Sequence, residues 1–367
     1  MSLARLADVE VQLIMQSLDV CSRLRLARSS RALFHSADHP FAWVGSSLKI
    51  SSGQVCQRKV DAESRLLRHV ARVTVTWRRG DCVCDGTGRE FMLALYKLLP
   101  FLPVHELYIM DRLGKRGWSL FNATNFDALR VLVIKEVNTL SVKNVAQISK
   151  LRRLNTLRVE YCATTNDAWA ALPDAPALTS LQITDRLGVE FTIDHSSLKF
   201  VRHCKHLTHL DIFPLGFNAN ILQQAFVSSY ESPFLHRQLQ SLRLESVNCS
   251  WEFSPAACAL AFQSLCVLHT ITLAIRHGIE LVLPHLVHAP ALRDLIAEEE
   301  EQANAIFYKQ DQPFFKIAIV SPLCDLLVAA SNLQCTFRGL VPFDVREALS
   351  KQLLAQPSVL DRVHFSP

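Results

Sequence analysis

The chain has 367 residues, 49% of them apolar and 20% charged, with only 11 glycines and a net charge of +5. That composition excludes a disordered chain, and no apolar run approaches the roughly 18 residues of a membrane-spanning helix. The charge is modest and spread out, too weak to imply a nucleic-acid partner.

The opening MSLARLADVEVQ has no uninterrupted apolar stretch of secretory type, and Asp8, Glu10 and Asp19 argue against a mitochondrial transit peptide. Cysteines number 11 and lie singly along the chain without even spacing. With no export signal they are expected to be reduced thiols acting as small buried hydrophobes, which places the protein in the cytoplasm or nucleus.

Residues 1–50 do not repeat and read as a short helical module. An apolar helix is expected near Asp8–Leu18, a break at Asp19–Ser22, then a longer basic helix Arg23–Ala37. His39-Pro40 ends it, because the residue before proline is pushed out of the helical region. Arg23, Arg25, Arg28 and Arg31 read as a solvated face, with no interleaved aromatics of the kind that stack on bases.

Beyond the module one pattern recurs. VHELYIMD (104–111), LRVLVIKEV (129–137), LNTLRVEYC (154–162) and LTSLQITD (178–185) share an L-x-x-L-x-L-like core. LTHLDIFP (207–214), LQSLRLESV (239–247), LHTITLAIR (268–276) and LRDLIAEE (292–299) continue it. VARVTVTW (70–77) precedes the series and FFKIAIV (314–320) is a weaker copy. Successive copies start 25, 25, 24, 29, 32, 29 and 24 residues apart. In each copy the pleat sends the second and third apolar residues inward, as with Leu157 and Val159, and their neighbours outward.

Between the strands the spacing becomes helical. In TLSVKNVAQISKL (139–151), Leu140, Val142, Val145, Ile148 and Leu151 suit one helix face. A helix is also expected near 90–99, and PAACALAFQSLCVL (255–268) begins with Pro255 after a candidate N-cap, Ser254.

Catalytic and metal chemistry find no motif. DCVCDGTGRE (81–90) carries a C-x-C one residue short of a zinc pair and with no second pair, so it reads as a glycine-rich loop. In HCKHLTH (203–209) the register ends the helix before His209, so His203, His206 and His209 share no face. No catalytic residue, metal site or cofactor is expected.

Function-bearing residues are therefore sought on the outward columns of the strands. The fifth column reads Tyr108, Val133, Arg158, Gln182, Asp211, Arg243, Thr272 and Ile296. The seventh reads Met110, Lys135, Glu160, Thr184, Phe213, Glu245, Ala274 and Glu298. Strands about 4.8 Å apart would pair Asp211 with Arg243 and Lys135 with Glu160. Substrate-binding candidates are Tyr108, Arg158, Glu160, Asp211, Phe213, Arg243 and Glu245, with Tyr108 and Phe213 as aromatic anchors. Glu298–Glu301 reads as a solvated loop.

The period and strand core resemble the leucine-rich repeats, over residues 70 to 320. The resemblance implies an α/β solenoid, a horseshoe with parallel strands on its concave face and helices on its convex face. The ordered set Leu18-Asp19, Leu24, Arg25-Leu26-Ala27, Ser30-Arg31, Ala37-Asp38, Pro40 and Trp43 resembles the second half of an F-box. It departs at Ala7 and Leu33, where that family carries Pro and Trp. The chain would then comprise an all-α F-box-like module (1–50), a leucine-rich-repeat solenoid (51–320) and a C-terminal repeat or capping segment (321–367). The resemblance implies a non-catalytic substrate-recognition subunit of a cullin-RING (SCF-type) ubiquitin ligase. It would bind a Skp-type adaptor, and through it a cullin, with Leu6, Leu18, Leu24, Leu26, Pro40 and Trp43 as adaptor contacts and an unknown protein substrate on the repeats. The alternative is a repeat scaffold unconnected to ubiquitin whose N-terminal helices only cap the solenoid.

Overall fold

A computed structural model describes residues 8–52, 54, 62–78, 89–99, 103–110, 118, 121, 126–135, 140–160, 169, 172, 175–184, 204–213, 238–246, 255–275, 279–298, 317–339, 341–354 and 357–366. The protein is α/β, and its contacts divide it into two compact units: Met1–Cys162 with Ala175–Ala177, and Ala163–Asp174 with Leu178–Pro367. Among the described residues no helix is long and apolar enough to cross a membrane.

The first unit begins with three short helices, α1 (Asp8–Gln16), α2 (Val20–Arg28) and α3 (Arg31–Ala37), and a 3₁₀ turn over Pro40–Trp43. Polar side chains set these boundaries. The Asp19 carboxylate accepts from Ser22 N at 3.0 Å and starts α2, and Ser30 Oγ accepts from Leu33 N at 3.2 Å and starts α3. The single helix expected over Arg23–Ala37 is thus two, and the break at Asp19–Ser22 shrinks to the residues before Val20. Capping oxygens offer the backbone an alternative to continuing the helix, which charge patterning does not reveal. Gly45, at φ +70°, takes the left-handed turn out of the module.

Five parallel strands follow: β1 (Ser47–Ser51), β2 (Arg72–Trp77), β3 (Glu106–Ile109), β4 (Val131–Lys135) and β5 (Thr156–Glu160). The expected boundary at residue 50 falls inside β1. That strand lacks the leading leucine of the repeat yet buries Leu48 and Ile50 opposite Val73 and Val75. The helix Val142–Ile148 follows β4, with Ser141 N donating to Asn144 Oδ1 at 3.0 Å. Val145, Ile148 and Leu151 are buried there, whereas Val142, expected on the same face, is exposed because the first helical position is rotated outward.

The second unit holds seven parallel strands: β6 (Ser180–Thr184), β7 (His209–Phe213), β8 (Ser241–Ser246), β9 (Thr270–Ile275), β10 (Asp294–Glu298), β11 (Gln334–Arg338) and β12 (Val363–Ser366). The expected strand FFKIAIV is a correction: Ile317–Ile319 form a 3₁₀ turn that runs into the helix Val320–Ala329. Buried Ile319, Val320, Leu323, Cys324 and Leu327 keep a helical period that outweighs a few alternating residues. The next strand is β11, where Cys335 and Phe337 point inward. Segment 321–367 therefore adds two further strand–helix units.

All-parallel sheets usually have both faces covered and read as unbroken apolar runs. Here the strands alternate, so one face is core and the other polar. The core columns run in register: Leu107, Leu132 and Leu157 in the first unit, and Leu181, Leu210, Leu242, Ile271, Leu295 and Cys335 in the second, all buried. Each buried leucine contributes roughly 1.5–3 kcal/mol of transfer free energy. Cys204, Cys258, Cys324 and Cys335 are buried thiols. Burial pushes Cys204, Cys258 and Cys335 up to about 12 and Cys324 to about 11, so they behave as small hydrophobes.

Candidate partner-binding surfaces

The polar face of the first unit is organised around Glu106. Its carboxylate is buried between Thr74, whose Oγ1 donates at 2.9 Å, and Arg72, whose Nε donates at 2.6 Å. The Tyr108 hydroxyl donates to Glu106 Oε2 at 3.5 Å. Burial, then the charge of Glu106, raises the Tyr108 phenol above its ordinary value. Tyr108, Val133 and Arg158 stand side by side on β3, β4 and β5, with Val133 a buried apolar floor between them. Lys135 Nζ lies 3.6 Å from Glu160 Oε2, so this expected cross-strand pair forms. Arg158 is exposed and, among the described residues, makes no ion pair.

The second unit's face is closed on itself. Arg243 Nε lies 3.9 Å from Asp211 Oδ1, the expected neighbour, and its Nη1 lies 3.1 Å from Glu298 Oε2. Glu298, expected both in the outward seventh column and at the start of a solvated loop, is the last residue of β10 and holds Arg243 from beyond the intervening β9. Among the described residues the cluster sets one guanidinium between two carboxylates. Phe213 pairs with Thr184 and Glu245 with Ala274 through the backbone, but their side chains lie outside the described residues.

In the helical module, Leu18, Leu24 and Leu26 are half-buried and Pro40 is exposed, whereas Leu6 lies outside the described residues. Trp43 is fully buried, with its Nε1 donating to Ala37 O at 2.7 Å, so it holds the module together rather than offering a contact. Arg23 is a second correction. Instead of lying on a solvated face it is 3% exposed, donating to Leu18 O, Ala42 O and Gln16 O at 2.8 Å each, with its guanidinium 5.8 Å over the Trp43 ring. Three carbonyls left free where helix and turn end supply the partners that let a cation enter a core. Desolvation draws its pKa down.

Sequence reasoning expected an exposed apolar side on the module but did not name its most exposed residues. Val9 (60% exposed), Leu13 (51%), Phe41 (41%) and Val44 (56%) all face outward. Val9 and Leu13 are one turn apart on α1, and Gln16 Nε2 donates to Phe41 O at 2.7 Å, bringing the end of α1 to the turn. The signal was available: α1 carries apolar residues on two opposite sides, Val9 and Leu13 against Val11 and Met15, and a short helix of that kind has a second face to cover.

Of the cysteine–histidine stretches, 81–88 and His203 lie outside the described residues, Cys204 is buried, His206 is in a turn and His209 begins β7. Among the described residues no three His, Cys, Asp or Glu come together as a metal site. Comparison with models of known protein families and with curated proteins finds no match for the chain.

Proposed function

We propose that the chain is the non-catalytic substrate-recognition subunit of a cullin-RING, SCF-type ubiquitin ligase, acting in the cytoplasm or nucleus. An F-box-like module at its N-terminus docks on a Skp-type adaptor, and a leucine-rich-repeat solenoid holds a protein substrate on its polar face. It contributes proximity rather than covalent chemistry. The observation that carries this reading is the module itself. The residues that match the F-box pattern fall where its fold turns: Asp19 and Ser30 cap helices, Pro40 opens the 3₁₀ turn and Trp43 fills the centre. Around that frame Val9, Leu13, Phe41 and Val44 form an exposed apolar set of the kind that a partner covers.

A second reading keeps the repeat scaffold and makes the helices a cap. It draws on Asp38, which lies 3.2 Å from both Arg68 Nη2 and His69 Nε2 and so ties the module to the segment before β2. Capture of a purified Skp-type adaptor by the full-length chain separates the two. Val9→Glu with Leu13→Glu, both exposed, is expected to reduce capture at least about tenfold, the equivalent of 1.4 kcal/mol, while the melting temperature holds. Undiminished capture would falsify the docking surface, and no capture by the unaltered chain favours the cap.

A further inference from the structure

Several stretches of the chain are basic, and one of them contributes to two neighbouring strands of the first unit. Residues 127–160 contain seven Lys and Arg (Arg130, Lys135, Lys143, Lys150, Arg152, Arg153, Arg158) against three acids (Asp127, Glu136, Glu160), a balance of +4. Lys135 is taken up by Glu160. Arg130, Arg152, Arg153 and Arg158 are exposed, and among the described residues none makes an ion pair.

The fold gathers these arginines on two adjacent strands. Arg130 precedes β4 and its carbonyl accepts from Asn155 N and Thr156 N at 2.9 and 3.0 Å, which sets it beside the start of β5. Arg152 and Arg153 occupy the turn that leads into β5. Arg130 and Arg153 both act on His105, whose pKa is lowered by burial first and then by their charges. Arg158 stands further along β5 on the polar face, and it and Arg72 both act on Tyr108. At about 3.3 Å per extended residue, Arg153 and Arg158 are at most roughly 16 Å apart, within the span of about five extended residues.

We infer that the N-terminal edge of β4 and β5, with the polar face beside it, binds an extended segment of a protein partner rich in aspartate and glutamate. Charge complementarity names the occupant. The cations form two groups rather than converging on one point, which suits several single charges along a chain better than one phosphate dianion. The face beside them carries Glu106 on β3 and, two residues beyond Arg158, Glu160, held by hydrogen bonds and an ion pair. A nucleic-acid backbone, with a charge at every unit, would be forced onto those carboxylates, whereas a peptide can place neutral residues there. One aromatic, Tyr108, makes no stacking series for bases.

This inference rests on the polar face being the partner-binding surface, and not on adaptor docking. The full-length chain is titrated into a fluorescein-labelled glutamate-rich peptide, its glutamine counterpart, a peptide carrying one phosphoserine among neutral residues, and a single-stranded RNA. Binding of the glutamate peptide alone, weakened by added salt, is expected. Arg130→Glu and Arg158→Glu should each weaken it by about tenfold, since reversing one close charge costs at least the 1.4 kcal/mol that a tenfold loss represents. Lys143→Glu, an exposed site on the helix Val142–Ile148, alters net charge equally and should change affinity less than about twofold. An equal loss with Lys143→Glu would reduce the effect to net charge and overturn the inference. So would stronger binding of the phosphopeptide or of RNA, or no binding of the glutamate peptide. Arg158→Glu that releases the peptide but still captures the adaptor shows that the two surfaces stand or fall separately.

Discussion

The helical module and the strand ladders are stabilised in opposite ways. In the ladders stability is distributed: β1 to β11 each turn two alternate residues into the core, and no one of these apolar side chains dominates. In the module it is concentrated, with Arg23 donating to three carbonyls and resting against Trp43 while two side-chain oxygens start two helices. A periodic solution tolerates drift at any one copy, as β1 does without its leading leucine. A keyed solution tolerates less, because Arg23 at its centre has no substitute of similar character.

The difference breaks first in the core columns. Leu157→Ala and Leu242→Ala remove fully buried side chains from β5 and β8 and should each cost about 2–5 kcal/mol, read as a lower denaturant midpoint. Distribution of stability means that the loss should be similar at the two sites despite their different units. A site costing under about 1 kcal/mol would show that its strand is not part of a packed column.

In the module Arg23→Ala should cost about 3 kcal/mol, because it strands three carbonyls and uncovers the Trp43 ring. Arg23→Lys should recover little, since an ammonium cannot reach three directions from one plane. Full recovery by lysine in a chemical melt would mean that charge, not the fork of donors, holds the module. The caps come next: Asp19→Ala and Ser30→Ala should each cost about 1 kcal/mol, with Asp19→Asn nearly neutral. Circular dichroism during urea titration reports these directly.

How much of this was legible follows the same division. The ladder could be read because its physics is periodic: the register Gln182–Asp211–Arg243–Thr272 and the Lys135–Glu160 pair follow from counting residues. Where the period faded, at β1, β11 and β12, counting failed, and a short alternating run inside a helix was read as a strand. The module resisted for another reason. Nothing in the row Arg23, Arg25, Arg28 and Arg31 distinguishes the one arginine that is buried, because its partners are carbonyls freed by turns at Leu18 and Ala42. The free arginines before β5 were visible as residues but not as a surface. Their significance depends on which carboxylates are already engaged.

A smaller effect comes with pH. His105 Nδ1 accepts from Val73 N at 3.2 Å, and its pKa lies below the ordinary 6.5 through burial and the charges of Arg130 and Arg153, with Glu106 opposing. The folded protein therefore binds this proton less readily than the unfolded chain. The stability it confers is present above pH 6.5 and is lost as pH falls through the folded-state value. His105→Gln keeps an acceptor without titrating and should flatten the melting temperature below that pH. An unchanged pH profile would assign the loss to other groups.

The smallest effect tests whether the polar face contributes to folding at all. Lys135 and Glu160 lie on adjacent strands, with their side chains 25% and 21% exposed. Water still reaches both, so the attraction is screened, and holding two long side chains in one geometry opposes it with lost rotamer freedom. A double-mutant cycle with Lys135→Met and Glu160→Gln should give a coupling of about 0.2–1 kcal/mol that shrinks in salt. Arg158→Ala, one column away and without an ion pair among the described residues, should change stability by less than about 0.5 kcal/mol. If Arg158→Ala instead costs as much as breaking the pair, Arg158 is engaged within the fold and is not free to receive a partner's carboxylate. The face would then be engaged within the fold in the first unit, as Arg243 is with Asp211 and Glu298 in the second.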